Sequence, residues 1–302
     1  MSAIPTNTKL SEDEIKYLEN YLISFCNFDS RLLKKIITHS PQFGSKIFLD
    51  KFEFKTKDKL RKLKPLTAFF ELLYPNLLNC HDVKWGENDN SHYLTIDNAK
   101  LFEQVIIPFE DTILVNDTLD LTICSTPYYS DYSKKEFSKI GELLHTLKID
   151  KKQEIIPDLM SEIKTIINKF DFSIYGKNIV VMPMRSSTPI VSGTAQMIAD
   201  KMKWEIQPNT IGIIDESHPV KIKKLKSRSS RLHELNENVS LWSEGIPKGK
   251  DVLLIDDNYQ SGATINFISM LLKKYYNVKK VYCFCLTKTT SNFNPKEGGH
   301  YE

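Results

Sequence analysis

The sequence has few cysteines, and none of them lies in a metal-binding or redox motif. The 302-residue chain contains five scattered cysteines and no C-x-x-C pair. This spacing excludes a local zinc knuckle or a thioredoxin-like site and is typical of a protein of the reducing cytosol. Cys283 and Cys285 lie two residues apart in an apolar run. We expect both to point to the same face of a buried strand, as small hydrophobic side chains.

Long apolar runs and a strong net charge are also missing. No run approaches the roughly 18 apolar residues that a membrane span needs, and residues 1–14 lack the basic-then-apolar pattern of a signal peptide. The net charge is only +3, from 41 basic and 38 acidic residues, so charge alone indicates no nucleic-acid partner. We expect a cytoplasmic protein without a membrane partner. The pattern does not predict an oligomeric state.

Glycine is nearly absent from the first part of the chain. Residues 1–140 contain only Gly44 and Gly86 of the 11 glycines. Because glycine permits tight turns and close backbone approach to ligands, the second half has the composition of an α/β unit with ligand-binding loops. At roughly 150 residues per domain, we predict two domains. Residues 1–150 would form a mainly helical (α+β) domain of unknown role, and residues 151–302 a parallel-sheet α/β domain.

Local patterns predict the elements of the first half. Ser11 and Glu14 form a capping box for a helix with apolar residues at helical spacing, namely Ile15, Leu18, Leu22 and Phe25. A second helix can be capped by Ser30, and residues 66–78 form a third apolar stretch. Short β-branched and apolar runs predict strands between residues 93 and 124.

Strand and helix patterns alternate in the second half. The predicted order is helix 158–170, strand 178–183, a helix from Thr188 to Met202, strands 211–214 and 251–256, helix 264–275 and strand 278–286. This alternation predicts a parallel sheet with right-handed crossovers. Ligands of such sheets bind at the carboxyl ends of the strands.

One segment, residues 252–264, carries the strongest chemical signal. An apolar strand places two adjacent carboxylates, Asp256 and Asp257, at the carboxyl edge of the predicted sheet. The sequence from Ser261 to Thr264 then closes a tight loop into a helix, whose exposed amides and hydroxyls can bind an anion. An anion site beside a carboxylate pair suits a ligand with a phosphate at one end and a diol at the other. Ribose 5-phosphate has that shape.

This pattern resembles the phosphoribosyl-diphosphate (PRPP) signature of the type I phosphoribosyltransferases: apolar residues, Asp-Asp, three variable residues, then Ser-Gly-x-Thr. The resemblance covers residues 155–288. Within the family, the spacing from Arg228 and Arg231 to the acidic pair is most similar to the competence-associated ComF-type branch, although the cysteines of that branch's zinc ribbon are missing. The resemblance implies a phosphoribosyltransferase-like parallel sheet.

The resemblance also implies a role for each site residue. Asp256 and Asp257 would hold the ribose hydroxyls and, through these hydroxyls and water, Mg²⁺. The 5′-phosphate would bind the loop formed by Asn258, Tyr259, Gln260, Ser261, Gly262, Ala263 and Thr264. The pyrophosphate would bind Arg185, Ser186 and Ser187, which follow the strand at 178–183. Alternatively, Arg185 is a solvated loop residue.

The implied activity is transfer of ribose 5-phosphate from PRPP to a nitrogenous acceptor, with release of pyrophosphate. The sequence does not identify the acceptor base. The alternative is a non-catalytic PRPP or nucleotide sensor, of a competence or defence system, whose N-terminal domain contacts nucleic acid or a protein partner. A third interpretation, a degenerate scaffold, is disfavoured by the intact Asp-Asp and Ser-Gly-x-Thr.

Two basic segments leave alternatives open. The insert at 216–245 can form a hood that closes over substrate, a solvated basic helix, or a docking site for single-stranded nucleic acid with Trp242 for stacking. The segment 51–64 is either a solvated face or a nucleic-acid contact.

Overall fold

The structure is a computed structural model, and it describes residues 8–25, 38–40, 44–49, 83–88, 91–96, 112–115, 117–131, 135–208, 211–213, 225, 227–241, 249–289, 293–294 and 299–300. The helices in these ranges are Glu12–Phe25 (α1), Lys139–Lys148 (α2), Ile156–Lys169 (α3), Ile190–Met202 (α4), Arg228–Asn238 (α5) and Ala263–Tyr276 (α6). Short 3₁₀ turns cover Gln153–Ile155 and Phe172–Tyr175. None of the helices described is long and apolar enough to cross a membrane.

The strands fall into one large sheet and several small ones. The large sheet contains Ile113–Val115 (β5), Leu121–Pro127 (β6), Ile179–Pro183 (β9), Glu205–Ile206 (β10), Asp251–Tyr259 (β13) and Val281–Lys288 (β14). A four-stranded antiparallel sheet contains Thr38–Ser40 (β1), Gly44–Leu49 (β2), Val83–Asn88 (β3) and Ser91–Ile96 (β4). The two-stranded sheets pair Tyr129–Asp131 (β7) with Glu136–Phe137 (β8), Ile211–Ile213 (β11) with Val239–Leu241 (β12), and Phe293–Asn294 (β15) with Gly299–His300 (β16).

The large sheet has the order β10-β9-β13-β14-β6-β5, and its first five strands are parallel. Only β5, at one edge, pairs antiparallel. Helices α4 and α6 follow β9 and β13 and lead into β10 and β14. This arrangement confirms the predicted parallel α/β class.

The middle of the sheet is buried on both faces, as its near-continuous apolar strands require. All eight residues of β14 are buried. Cys283 and Cys285 lie on the same face with their Sγ atoms 3.5 Å apart, which confirms the expectation for this pair. Burial raises the pKa of both thiols and of the neighbouring Cys124, so these three cysteines behave as small hydrophobic residues.

One strand predicted for the sheet lies elsewhere. In the apolar run predicted at 211–214, residues 211–213 form β11, which pairs antiparallel with β12 and not with the large sheet. The position beside β9 is occupied by β10. This strand is only two residues long, and no periodic pattern in the sequence predicts it. The prediction was wrong here because a three-residue apolar run fits an antiparallel ladder as well as a parallel one.

The large sheet extends across the division predicted at residues 150 and 151. Strands β5 and β6 precede that position, yet β6 pairs with β14 over most of its length. One apolar core joins α1, α2 and both sides of this division. Residues 38–96 contribute four antiparallel strands, most of which the sequence did not predict. The helices predicted after Ser30 and at 66–78 lie outside the described residues.

Helix α1 begins at the predicted capping box and packs on the second half of the chain. Ser11 N donates to Glu14 Oε2 at 2.7 Å, and Glu14 N donates to Ser11 Oγ at 3.3 Å, which confirms the box. The buried amide of Asn236, on α5, accepts from Leu10 N at 2.8 Å and donates to Leu10 O at 3.0 Å. Lys274, on α6, pairs with Glu14 at 2.6 Å. The segment that leads into α1 is therefore fastened to α5 and α6.

We expect Asn236→Ala to destabilise the protein by about 1–3 kcal/mol, because the buried N–H and C=O groups of Leu10 would both lose their partner. Urea denaturation measures the change in the free energy of unfolding. The matched control is Asn238→Ala on the same helix, since among the described residues the Asn238 side chain bonds only within α5. Equal stability of the two variants would show that the Leu10 contact contributes nothing.

Candidate functional site

At one position in the large sheet, the connections that leave two neighbouring strands run toward opposite edges of the sheet. After β9 the chain passes through α4 to β10 on one side, and after β13 it passes through α6 to β14 on the other. A crevice therefore opens between the carboxyl ends of β9 and β13, which is where parallel α/β sheets bind ligands. Met184 N donates to Ile255 O at 2.8 Å and holds the loop after β9 against β13.

The predicted acidic pair lies at this crevice, in two different environments. Asp256 is half-buried, whereas Asp257 is buried. Asp257 N donates to Asp256 Oδ1 at 2.9 Å. Because successive strand residues point to opposite faces, the two carboxylates leave β13 on opposite sides.

The Asp257 carboxylate is paired with Lys148 Nζ, from the last turn of α2. The Asp257 side chain is 7% exposed and that of Lys148 is 22% exposed, so the pair lies mostly out of water. A partner is required here, because an unpaired buried carboxylate would cost several kcal/mol. Lys148 was not predicted as a site residue. It belongs to a run of lysines and is far from β13 along the chain, so no local signal distinguishes it.

The loop after β13 depends on Gly262. This residue has φ +73°, in the left-handed region, and a Cβ there would lie 2.2 Å from Tyr259 Oη. Gly262 is also the N-cap of α6, which has no side-chain cap hydrogen bond. The first-turn amides of α6 can therefore donate hydrogen bonds to an anion bound at the loop. Gln260 is exposed, Ala263 is buried and Thr264 is half-buried at this end of the helix.

A buried arginine from α5 reaches the same loop. Arg231 is 5% exposed. Its Nη1 donates to Ser261 Oγ at 3.1 Å and its Nε donates to Leu225 O at 3.0 Å. Burial lowers the pKa of the guanidinium, and no Asp or Glu of the described part of the chain pairs with it. A buried cation without a counter-charge beside a helix N-terminus favours binding of an anion.

The helix that carries Arg231 belongs to the insert at 216–245, for which the sequence left several interpretations open. Residues 228–238 are helical, and Leu232 and Leu235 are fully buried. Residues 228–238 therefore form a helix with one packed face, whereas the four lysines between 221 and 226 lie outside the described residues. Trp242 lies outside the described residues.

Two predicted loop residues have side chains that are held within the fold. Asn258 Oδ1 accepts from Thr287 Oγ1 at 3.2 Å and from Thr289 Oγ1 at 2.9 Å. Tyr259 is 1% exposed, and its hydroxyl donates to Asp117 Oδ2 at 3.0 Å. Both side chains hold the loop in place, which leaves the loop backbone for contact with a ligand.

The loop after β9 presents the second predicted set. Arg185 and Ser187 are exposed, and Ser186 is half-buried. Ser186 Oγ accepts from Thr188 N at 3.3 Å, in a turn that leads into α4. The structure thus brings Arg185 and the loop at 260–264 to the carboxyl ends of adjacent strands.

An aromatic group lies at the carboxyl end of β6, beyond β14. Tyr128 N donates to Lys288 O at 2.9 Å, so Tyr128 extends the ladder at the same edge of the sheet. Burial, together with the nearby Tyr129 and the Asp257 charge, raises the pKa of Tyr128 to about 12. The tyrosine therefore stays protonated at neutral pH, and Asp257 lies within electrostatic reach of its hydroxyl.

No family model matches the chain, and no curated protein matches it. Among solved structures, it is similar to a hypoxanthine phosphoribosyltransferase from Staphylococcus aureus, with TM-score 0.30 and 16% identity over 45% of this chain and 70% of that chain. It is also similar to an adenine phosphoribosyltransferase from Leishmania donovani, with TM-score 0.23 and 12% identity over 47% of this chain and 68% of that chain.

We expect Gly262→Ala to destabilise the protein by at least about 1–3 kcal/mol, from the left-handed backbone and from overlap with Tyr259 Oη. The control is Gly249→Ala, because Gly249 also has a positive φ, of +75°, but nothing lies within 4 Å of its added Cβ. This control should cost only about 1 kcal/mol. Thermal denaturation of both variants measures the difference, and equal losses would mean that the Tyr259 contact is unimportant.

We expect inorganic phosphate to raise the melting temperature of the wild-type protein and to have a much smaller effect on Arg231→Met. Each shift is measured relative to the same protein without phosphate, because the substitution removes a buried charge but also removes the hydrogen bonds to Ser261 and Leu225. Thermal denaturation at increasing phosphate concentration measures this effect. The control is Lys164→Met, an exposed cation of α3. A phosphate response of Arg231→Met as large as that of the control would contradict the assignment of Arg231.

Proposed function

We propose that the protein binds PRPP in the crevice between β9 and β13 and transfers its ribose 5-phosphate to a nitrogenous acceptor, with release of pyrophosphate. One observation carries this proposal. The acidic pair with its anion-binding loop, and the loop of Arg185, lie at the carboxyl ends of adjacent parallel strands that lead in opposite directions. PRPP carries a phosphate, a diol and a pyrophosphate. The anion-binding loop suits the phosphate, the acidic pair suits the diol, and Arg185 suits the pyrophosphate.

The 5′-phosphate would bind the loop at 260–264. The first-turn amides of α6, the Ser261 hydroxyl and the Arg231 guanidinium surround that position. The phosphate would also supply the counter-charge that Arg231 lacks among the described residues. Bound this way, the sugar extends from the loop toward the acidic pair.

The ribose hydroxyls would bind mainly to Asp256. This carboxylate is half-buried and lies next to the crevice, whereas Asp257 is paired with Lys148. Lys148 would offset the charge of Asp257, which makes the acidic pair less negative than it would be without the lysine. This charge stabilises a positively charged sugar ring and repels an anionic substrate only weakly.

Departure of pyrophosphate would leave positive charge on the ring at C1, in a transition state like that of glycoside hydrolysis. The carboxylate of Asp256 would stabilise that charge from the diol side. Arg185, exposed on the next loop, would bind the departing pyrophosphate. Hydrolysis of the ring cation competes with transfer, so the reaction requires that water be excluded.

Magnesium is part of this proposal. Carboxylate oxygens are ligands that Mg²⁺ prefers, and the position of Asp256 fits an indirect role through ribose hydroxyls and water. In the described ranges, no group of three or more His, Cys, Asp or Glu is placed to hold a metal, so the substrate's own oxygens would supply most ligands. When bound, Mg²⁺ would offset the charge of the pyrophosphate.

We expect PRPP to bind in a magnesium-dependent manner, and we expect Asp256→Asn to weaken this binding at least about tenfold, by loss of charged hydrogen bonds to the diol. Calorimetric titration measures the affinity. The control is Asp158→Asn, an exposed carboxylate of α3. Asp256→Asn is preferable to Asp257→Asn, because the latter leaves Lys148 without its partner. Failure of the folded wild-type protein to bind PRPP would refute the proposal.

Release of pyrophosphate then separates the enzyme from the sensor. Incubation with PRPP, Mg²⁺ and a panel of free bases should release pyrophosphate only if transfer occurs. Tight PRPP binding with no release for any base would favour the non-catalytic sensor.

A further inference from the structure

Helices α5 and α6 pack against each other, and the two ends of this pair contact different parts of the chain. At one end, Arg231 in the first turn of α5 donates through Nη1 to Ser261 Oγ, in the loop that precedes α6. At the other end, the last turns of both helices contact residues 9–14, which lead into α1 and form its first turn. The pair of helices therefore connects residues 9–14 to the anion-binding loop.

The contact with α5 is centred on a buried amide. Asn236 is 6% exposed, and it accepts from Leu10 N at 2.8 Å and donates to Leu10 O at 3.0 Å. Lys9 Nζ lies 3.2 Å from Glu237 Oε2, but these side chains are 39% and 66% exposed, so water screens the pair. Asn236 is therefore the main polar contact that the structure describes between this segment and α5.

Helix α6 holds the same segment from its own last turn. Tyr275 Oη donates to Lys9 O, and Lys274 Nζ lies 2.6 Å from Glu14 Oε2. Leu10 is buried in the core to which these helices contribute. Residues 9–14 are thus attached to α6, and α5 is attached to them.

The insert that carries α5 is not joined to the large sheet by a backbone ladder in the described ranges. It lies between β10 and β13, and the strands on either side of α5, β11 and β12, pair with each other. Helix α5 packs on α1, α6 and β12, with Leu232 and Leu235 fully buried. The contacts that hold α5 on these elements therefore also determine where Arg231 lies.

Arg231 and Asn236 are close enough on α5 to move together. They are five residues apart, which is about 7.5 Å along the helix axis. A shift of the helix at Asn236 is therefore carried to Arg231. Hydrogen bonds from a guanidinium group require heavy-atom distances of about 3 Å, so a small shift is enough to weaken them.

We propose that Asn236 is a positioning residue for the anion site, because it holds α5 on residues 9–14 and thereby keeps Arg231 at the loop after β13. This inference rests on the part of the proposed function that assigns a phosphate to Arg231, and it adds a coupling between that site and α1. The coupling is reciprocal by thermodynamic linkage. A bound phosphate holds Arg231 and α5 in place, and so strengthens the attachment of residues 9–14.

The first test measures the affinity for inorganic phosphate by calorimetry, at a temperature where every variant is folded. We expect Arg231→Met to weaken binding about fivefold or more, and Asn236→Ala to weaken it about threefold or more. In the Arg231→Met background, Asn236→Ala should have no further effect, because the cation that it positions is already missing.

Two control variants separate positioning from loss of stability. Ile163→Val removes a buried methyl group from α3, which packs on α2 and α4, and it should lower stability without changing the affinity for phosphate. Asn238→Ala removes an amide that bonds within α5, and it should also leave the affinity unchanged. The inference is overturned if Asn236→Ala binds phosphate as tightly as Ile163→Val, or if it weakens binding equally with and without Arg231.

Hydrogen exchange tests the reciprocal effect without any change at Asn236. Saturating phosphate should slow exchange of the Leu10 N–H and of the first amides of α1 more than exchange of the amides of α3. Arg231→Met should lose this difference. Equal protection of the two segments in the wild-type protein, or no protection of residues 9–14, contradicts the coupling.

PRPP distinguishes this inference from the proposed function. If phosphate binds with the expected coupling but PRPP does not bind, the proposed function fails and the positioning role of Asn236 stands. If the folded wild-type protein does not bind phosphate, the positioning role is overturned, because Arg231 then has no anion to bind.

Discussion

A buried hydrogen-bond network under the loop after β13 is the constraint on which the candidate site depends. The Tyr259 hydroxyl donates to Asp117 at 3.0 Å and accepts from Asn266 Nδ2 at 3.1 Å, and the same amide donates to Gly262 O at 2.8 Å. These contacts join the segment before β6, the end of β13 and the first turn of α6. Since all the polar groups are buried, the loss of one would leave others unsatisfied, at about 1–3 kcal/mol each. The network therefore opposes rearrangement of the loop.

The cations around this loop come from elements far apart in the chain. Lys148 comes from α2 and Arg231 from α5, while Lys288 ends β14 with its Nζ 5.5 Å from the centre of the Tyr259 ring. Lys288 Nζ also donates a hydrogen bond to Thr289 O at 2.9 Å, which holds the ammonium group near the loop. The site thus combines fixed positive groups with an acidic pair. This mixture suits a ligand that is anionic at its ends and neutral at its diol.

Local signals predicted the elements that carry the site, and distant contacts were beyond their reach. The capping box of Ser11 and the strand–loop–helix from Asp251 to Tyr276 were predicted within a few residues, because caps, apolar runs and turn glycines act locally. The burial of Arg231 and the pairing of Lys148 with Asp257 were not, since each is fixed by a partner at least 30 residues away. Local sequence does not distinguish these two cations from the other basic residues near them in the chain.

The strand order also determines when the protein can fold during its synthesis. β14 is the interior strand that joins β6 to β13, and it is made more than 150 residues after β6. At roughly 5–20 residues per second, the ribosome needs about 8–30 s to span that interval. During this interval β6 has no parallel neighbour, and α5 and α6, on which α1 packs, are not yet complete. The nascent chain therefore exposes a strand edge and an amphipathic helix for seconds, and both are surfaces that favour aggregation.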